Sequence, residues 1–344
     1  MPYRQKAKPQ YAVQRRTKAA PKPKLVPQQY HSPVNPMLAQ EGKRANIPEP
    51  KKQEQRKYDG TRVAVIKEGD KVRMVGSRSW KNDYGPLHPH IIEELKNLPV
   101  DLAILDGELT FFKVGTDRDV FVTALASPET RKRMGVESKL ELFDVLYVED
   151  DDLQHLPFKD RDEILRTLVP SGLDNVRVVK TVTKNKEKYF DDMKAKQGEG
   201  VVLKEEDSPY RQGVRSPEWL KVKHWKDTDV VVVGWTPGNG ARASTFGALI
   251  LAQKDKTGKL KYVGRTAGLK TAELATMLKK MKNLQTPKAP LADIPADVHA
   301  AGWVKPEMVI TVKYYERTPN QILRFPDFLR ERPDKKPSEA PIET

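Results

Sequence analysis

The hexapeptide Lys57-Tyr58-Asp59-Gly60-Thr61-Arg62 sets an amine beside an acid, a glycine and a guanidinium, directly ahead of the apolar run 63–66. A lysine amine becomes a nucleophile when desolvation and a nearby cation lower its pKa toward neutrality. Gly60 permits a tight turn, and Arg62 is close enough in sequence to orient phosphate oxygens. The same residues would also make a plain surface turn, because Asp-Gly is a common hairpin signal. Further groups along the chain bear on that choice. Asp106-Gly107-Glu108 lies inside the apolar stretch 103–112, where an acid is costly unless it binds something. Phe143-Asp144 stands in the next strong apolar segment, and Glu199 and Lys204 bracket the short segment 200–203. In Trp219-Leu220-Lys221-Val222-Lys223 the alternation turns Lys221 and Lys223 to one face of a strand. Two ammonium groups aimed alike form a phosphate clamp, or else the solvated face of an edge strand.

These groups need elements to hold them. Between residues 51 and 226 the pattern is mixed: strands are expected at 63–66, 72–75, 103–112, 141–148, 176–182 and 200–203. Apolar residues at helical spacing predict helices at 91–98, 160–168 and 186–196. Lys226-Asp227-Thr228 reads as a boundary, and residues 227–335 follow a different pattern. Strands are expected there at 230–235, 246–253, 259–263 and 308–315, with Gly-rich turns such as Pro237-Gly238-Asn239-Gly240. One helix, 271–284, interrupts them with Leu274, Met277, Leu278 and Met281 on one face. Short strands plus one helix in about a hundred residues suit a small β-barrel.

The two ends read differently. Residues 1–50 carry cations at 4, 6, 8, 15, 16, 18, 22 and 24, no acid before Glu41, recurrent prolines and no periodicity. Extended or disordered chain is expected, acting as an electrostatic arm on phosphates or as a solvated leader. Residues 336–344 are expected to form a loose tail.

The whole chain has 344 residues, room for two domains. Its 62 Lys+Arg against 47 Asp+Glu give a net charge of +15. That balance favours polyanionic partners, nucleic acid first and anionic membrane second. The absence of cysteine excludes disulfides and Cys-type zinc sites. No run approaches the ~18 apolar residues of a membrane span, and the N-terminus lacks an apolar signal region. A cytoplasmic location is expected.

Taken together, these segments resemble the motifs of ATP-dependent DNA ligases, most closely the ligase modules of bacterial end-joining enzymes. Lys57 to Arg62 looks like nucleotidyltransferase motif I, Ser77-Arg78 motif Ia, Asp106-Gly107-Glu108 motif III and Phe143-Asp144 motif IIIa. Glu199 to Lys204 resembles motif IV, Leu220 to Lys223 motif V, and Arg324 to Lys335 motif VI. Each motif is weak alone; their order and spacing over residues 33 to 335 make the likeness specific. The resemblance implies an α+β fold, with a nucleotidyltransferase (adenylation) domain at 51–226 followed by an OB-fold at 227–335. It implies ATP as co-substrate, Mg²⁺ or Mn²⁺, nicked duplex DNA as partner, and a monomer.

By the same resemblance Lys57 attacks the α-phosphate of ATP and holds AMP as a phosphoramidate. AMP then passes to the 5′-phosphate of a nick, and the 3′-hydroxyl displaces it. Phe143 would stack on adenine, Glu108 would accept from the ribose, and Glu199, with Glu108, would hold the metal. Lys221 and Lys223 would neutralise the α-phosphate, while Arg62 and Arg78 face AMP and the nick. Arg330 and Lys335 of motif VI would orient the departing pyrophosphate. Gln55 departs from the pattern, which has glutamate two residues before the nucleophile, and the large N-terminal DNA-binding domain of some ligases is missing. The alternatives are an RNA ligase, an mRNA capping guanylyltransferase, or a non-catalytic nucleic-acid-binding OB protein. NAD-dependent ligases are disfavoured because they carry a cysteine zinc site.

Overall fold

The computed structural model describes residues 35–76 and 81–342. The chain divides into two compact units, one running to Lys223 and one beginning at His224. In the first unit the strands are β1 (Leu38–Glu41), β2 (Lys52–Lys57), β3 (Gly60–Glu68), β4 (Lys71–Gly76), β5 (Leu102–Lys113), β6 (Val136–Val148), β7 (Asp151–Asp152), β8 (Val176–Val178), β9 (Thr181–Val182), β10 (Gly200–Glu205) and β11 (Arg215–Lys223). Its helices are α1 (Pro89–Lys96), α2 (Pro128–Met134), α3 (Phe158–Leu168) and α4 (Lys186–Ala195).

These strands form two sheets, ordered β1-β11-β10-β2-β9 and β4-β3-β5-β6-β7, with β8 added to β6. Central β5 is buried on both faces, which explains its continuous apolar reading. Leu105 and Leu109 of β5 join the core that takes in Ile91 and Leu95 of α1 and Leu165 of α3. Leu102 and Ile104 join Met37, Tyr147, Tyr210 and Trp219 in a second core. A third cluster, Ile47, Phe190, Val201, Leu203 and Val222, lies against α4.

The second unit contains β12 (Lys226–Trp235), β13 (Leu249–Lys254), β14 (Leu260–Thr266), α5 (Thr271–Asn283), β15 (Gln285–Thr286), β16 (Gly302–Tyr314) and β17 (Asp327–Glu331). The sheet runs β14-β13-β12-β16-β15, with β17 on β16, and every pairing is antiparallel. Val230 and Val232 enter a core with Leu274, Met277 and Met281 of α5. Val231 and Val233 enter another on the opposite face. One antiparallel sheet folded about a single helix is the OB-type unit that the strand pattern leads one to expect.

Several expectations are corrected. Residues 35–50 do not belong to a tail: β1 pairs with β11, and Met37 and Ile47 are fully buried. Single apolar anchors of this kind leave no periodicity to read. Residues 1–34, and with them the expected basic arm, lie outside the described residues. The boundary expected at 226–228 falls between Lys223 and His224, and 226–228 begin β12, with Asp227 opposite Lys313. The expected strand 176–182 is two short strands in different sheets, β8 beside β6 and β9 beside β2. The C-terminal segment is not loose through residue 342: Ala340 is buried, and Lys254 bonds the backbones of both Ala340 and Ile342. Strand β2 and helix α2 were not expected, because Lys-Gln-Glu-Gln-Arg-Lys and Pro-Glu-Thr-Arg-Lys-Arg-Met show no apolar period. Among the described residues no helix is long and apolar enough to cross a membrane.

Candidate active site

Strand pairing assembles the site. Lys57 ends β2 directly opposite Gly200 at the start of β10, and Gly200 also faces Lys223 of β11. Any side chain at Gly200, whose φ is +147°, would run into the carbonyl oxygen of Val222. With the three backbones this close, Glu199 lies between two lysines. Lys57 Nζ donates to its Oε2 at 2.5 Å and Lys223 Nζ stands 2.8 Å from its Oε1. Burial alone would lower the Lys57 pKa, but Glu199 and then Glu108 outweigh it and hold the ammonium above its ordinary value. Burial pushes Glu199 up, yet the two lysines bring it below the usual carboxylate range. The two carboxylates thus favour the ammonium form of Lys57, against the lowering that desolvation and a nearby cation lead one to expect.

Lys57 opens onto a cavity of about 230 Å³ that is also lined by Gln55, Arg62, Glu108, Phe143 and Lys221. Cross-strand pairing puts Arg62 of β3 opposite Glu108 of β5. Gly60, at the start of β3, leaves room for that approach, since a Cβ would strike the Leu109 carbonyl. Burial pushes Glu108 up to about 7, against the pull of Lys57 and Arg62. Arg62 is firmly held: Nε and Nη2 donate to the Asp106 carboxylate at 2.9 and 2.5 Å, and Nη1 donates to the Met37 carbonyl at 2.7 Å. Tyr210 donates to the same Asp106 at 2.6 Å. The costly acid in β5 thus binds an arginine and a tyrosine of its own chain.

The Arg62 guanidinium lies 5.2 Å from the centre of the Phe143 ring. Lys204, almost wholly buried, donates to the Phe143 carbonyl at 2.8 Å. Its ammonium sits 4.8, 4.4 and 4.2 Å from the Phe143, Phe158 and Trp219 rings, and burial lowers its pKa to about 8. Gln55 Nε2 donates to Thr181 Oγ1 at 2.9 Å. Lys221 pairs with Glu41 of β1 at 2.8 Å, so the two lysines of β11 face different acids.

Arg78 lies outside the described residues. In the second unit Lys335 and Arg332 converge on Asp229 of β12, the arginine at 3.1 Å. Arg332 also pairs with Asp334 at 2.7 Å, and Thr311 donates to Asp229 at 2.6 Å. Arg330 is exposed on β17 and outside this group. Asp229, Tyr210 and the structural role of Lys204 were not read from the sequence; only Lys204 left a trace there, as a cation ending an apolar strand.

The model of the ATP dependent DNA ligase domain matches residues 36–223, and that of the ATP dependent DNA ligase C terminal region matches residues 242–335. The chain belongs to the ATP-dependent DNA ligase family. Its ligase match begins at residue 36, next to the buried Met37, rather than after residue 50. The multifunctional non-homologous end joining protein LigD of Mycolicibacterium smegmatis is 33% identical over 312 residues, covering 89% of this ligase-family chain and 39% of that protein. A DNA ligase of Thermococcus onnurineus is 30% identical over 341 residues, covering 91% and 58%. The chain thus spans less than two thirds of these relatives. A solved Lig E DNA ligase shares the fold, with TM-score 0.55 at 21% identity over 87% of this chain and 99% of that one. Both matched models describe DNA ligases, which sets this family reading above an RNA ligase, a capping enzyme or a non-catalytic OB protein.

Proposed function

We propose that this chain seals 5′-phosphate/3′-hydroxyl nicks in duplex DNA with ATP, through a lysyl-AMP and then a DNA-adenylate. The observation that carries this reading is the Lys57–Glu199–Lys223 bridge, of which Lys57 lines the cavity. Lys57 Nζ attacks the α-phosphorus, an N–P bond forms, and the P–O bond to pyrophosphate breaks. Lys223 and Lys221 offset charge gathering on the α-phosphate. Phe143, fixed from below by Lys204, offers the base a π-face. Arg62, with its guanidinium committed to Asp106, acts by holding the floor of the cavity beside Phe143 as well as by its charge. In the second step the 5′-phosphate oxygen of the nick displaces Lys57, and in the third the 3′-hydroxyl displaces AMP.

Glu199 and Glu108 fit a hard divalent cation. Both are oxygen donors beside the nucleophile, and Mg²⁺ needs only one or two protein carboxylates when phosphates and water complete its shell. Among the described residues no group of three or more acids, histidines or cysteines is placed to hold a metal ion by itself. Such an ion would take up the carboxylate charge that now raises the Lys57 pKa, leaving burial free to lower it.

The test is incubation with labelled ATP and a nicked duplex. Labelled protein without DNA, and a joined strand on denaturing electrophoresis with it, are the expected results. EDTA should stop both, and excess Mg²⁺ should restore them. Labelling that continues in EDTA would remove the metal from the scheme; absence of a joined strand under all conditions would overturn the proposal.

A further inference from the structure

We propose that Asp119, in the segment between β5 and α2, is a positioning residue for the nucleophile Lys57. The chain crosses from β2 in one sheet to β3 in the other through Tyr58-Asp59, and Lys57 stands at the start of that crossing. One Asp119 oxygen accepts from Arg56 Nη2 at 2.6 Å, and the other accepts from the backbone N–H of Asp59 at 3.1 Å. A single carboxylate therefore grips the residue before the nucleophile and the residue two beyond it. The grip is shielded from water, since the side chains of Asp119 and Arg56 are only 2% and 8% exposed.

The Arg56 guanidinium is further placed by the Tyr58 ring, 4.6 Å away, and by the Asp117 carbonyl, which accepts from Nη2 at 3.2 Å. Its Nε is buried without a hydrogen-bond partner, which leaves its orientation dependent on this one side of the guanidinium. Asp119 is itself anchored, for it bridges to Phe112 at the end of β5, and the next residue, Val120, donates to the Phe111 carbonyl at 2.8 Å. The central strand is thus tied to the nucleophile's turn from one side. Glu199 holds the amine from the other. Asp119 is not itself a lining residue of the cavity and reaches the lining through Arg56, so its effect is on where the backbone presents the amine. A misplacement of about 1 Å in a reacting group costs on the order of 10²-fold in rate.

This assignment rests on Lys57 being the nucleophile, so the experiment on the full chain begins with that point. Wild-type protein should become labelled by radioactive ATP, and Lys57→Ala should not. If either result fails, the nucleophile reading falls and the role of Asp119 with it. With both in hand, Asp119→Ala, Asp119→Asn and Arg56→Gln are compared in two assays. One is the rate of lysyl-AMP formation over a range of ATP concentrations. The other is sealing of a nick that already carries AMP, where Lys57 attacks nothing. The expected result is a fall of about 10- to 100-fold in kcat for labelling, with an unchanged KM for ATP in the two Asp119 variants, which leave the cavity-lining side chains in place, and near-normal sealing of the pre-adenylated nick. The Asp119→Asn/Arg56→Gln double variant should be no slower than the worse single one, because both changes break the same ion pair. Asp119→Asn keeps the shape of the side chain and an acceptor for Asp59, and it decides the matter where Asp119→Ala does not fold. Unchanged labelling, a raised KM in the Asp119 variants, an additive double variant, or equal loss in the two assays would overturn the proposal.

Discussion

An ammonium cannot attack phosphorus, and without a metal Glu199 and Glu108 favour that form of Lys57. Labelling should therefore speed up as pH rises and the neutral amine becomes more abundant. In the metal-free protein Glu199→Gln removes the nearest charge raising that pKa, so titration of the Lys57 amine should move to lower pH. Titration of the Lys57 amine by NMR in EDTA for both proteins checks this, and coincident titration curves would free Glu199 of the role. Lys57→Arg should be as silent as Lys57→Ala, because a guanidinium stays protonated. At this scale the residue types could be read in the sequence, but their partners could not. Lys57, Glu199, Lys221 and Lys223 stand out as acids and cations in strands. That Arg62 is spent largely on Asp106, or that Asp119 grips the turn around Lys57, depends on pairings across 44 and 60 positions of chain.

Strand β2 shows what a pattern of residues cannot say about an element. Its six residues are all polar, yet it lies between β10 and β9 and is held there by pairing rather than by apolar period. Glu54 is fully buried, opposite Leu203 of the cluster against α4, and neither carboxylate oxygen has a hydrogen-bond partner. Burial, only partly offset by Lys186, pushes its pKa up to about 8. A carboxyl raised in the folded state stabilises fully below its unfolded pKa, and that contribution is lost as pH climbs through the folded value. The wild type should accordingly lose stability between about pH 5 and pH 9 from this group. Glu54→Gln, which cannot ionise, should flatten that slope and melt higher at pH 9; a difference of about 1 kcal/mol moves Tm by about 2–4 °C in a unit of this size. Parallel melting curves across that range would show that Glu54 finds a partner when ionised. The valine run of β12 is the opposite case, legible at once because its alternate residues enter two cores.

For the molecule as a whole, the net charge of +15 and the eight cations before residue 25 bear on duplex binding. Deleting residues 1–30 should weaken DNA binding and flatten its salt dependence by about 0.9 in log–log slope for each phosphate no longer neutralised, with labelling unchanged. The division into two units was legible because apolar spacing changes character after residue 226, although the packing places the break three residues earlier. The far cations were harder to rank. Arg330, Arg332 and Lys335 are equivalent as sequence, but only Arg332 and Lys335 meet on Asp229. Pyrophosphate leaves in the attack on ATP and in no later step, so cations that orient it matter to that step alone. We expect Arg332→Ala with Lys335→Ala to slow self-adenylylation by about 10²-fold or more, the usual cost of removing such a charged donor. The same protein should still seal a pre-adenylated nick. Arg330→Ala should do far less to labelling, since its side chain stands in solvent outside the Asp229 group. Melting curves must first show the double variant folded, because it strips two partners from a mostly buried acid. Equal loss on nicks with and without attached AMP would assign these cations to DNA binding, and a larger loss from Arg330→Ala would return the role to that residue, as the motif resemblance implies.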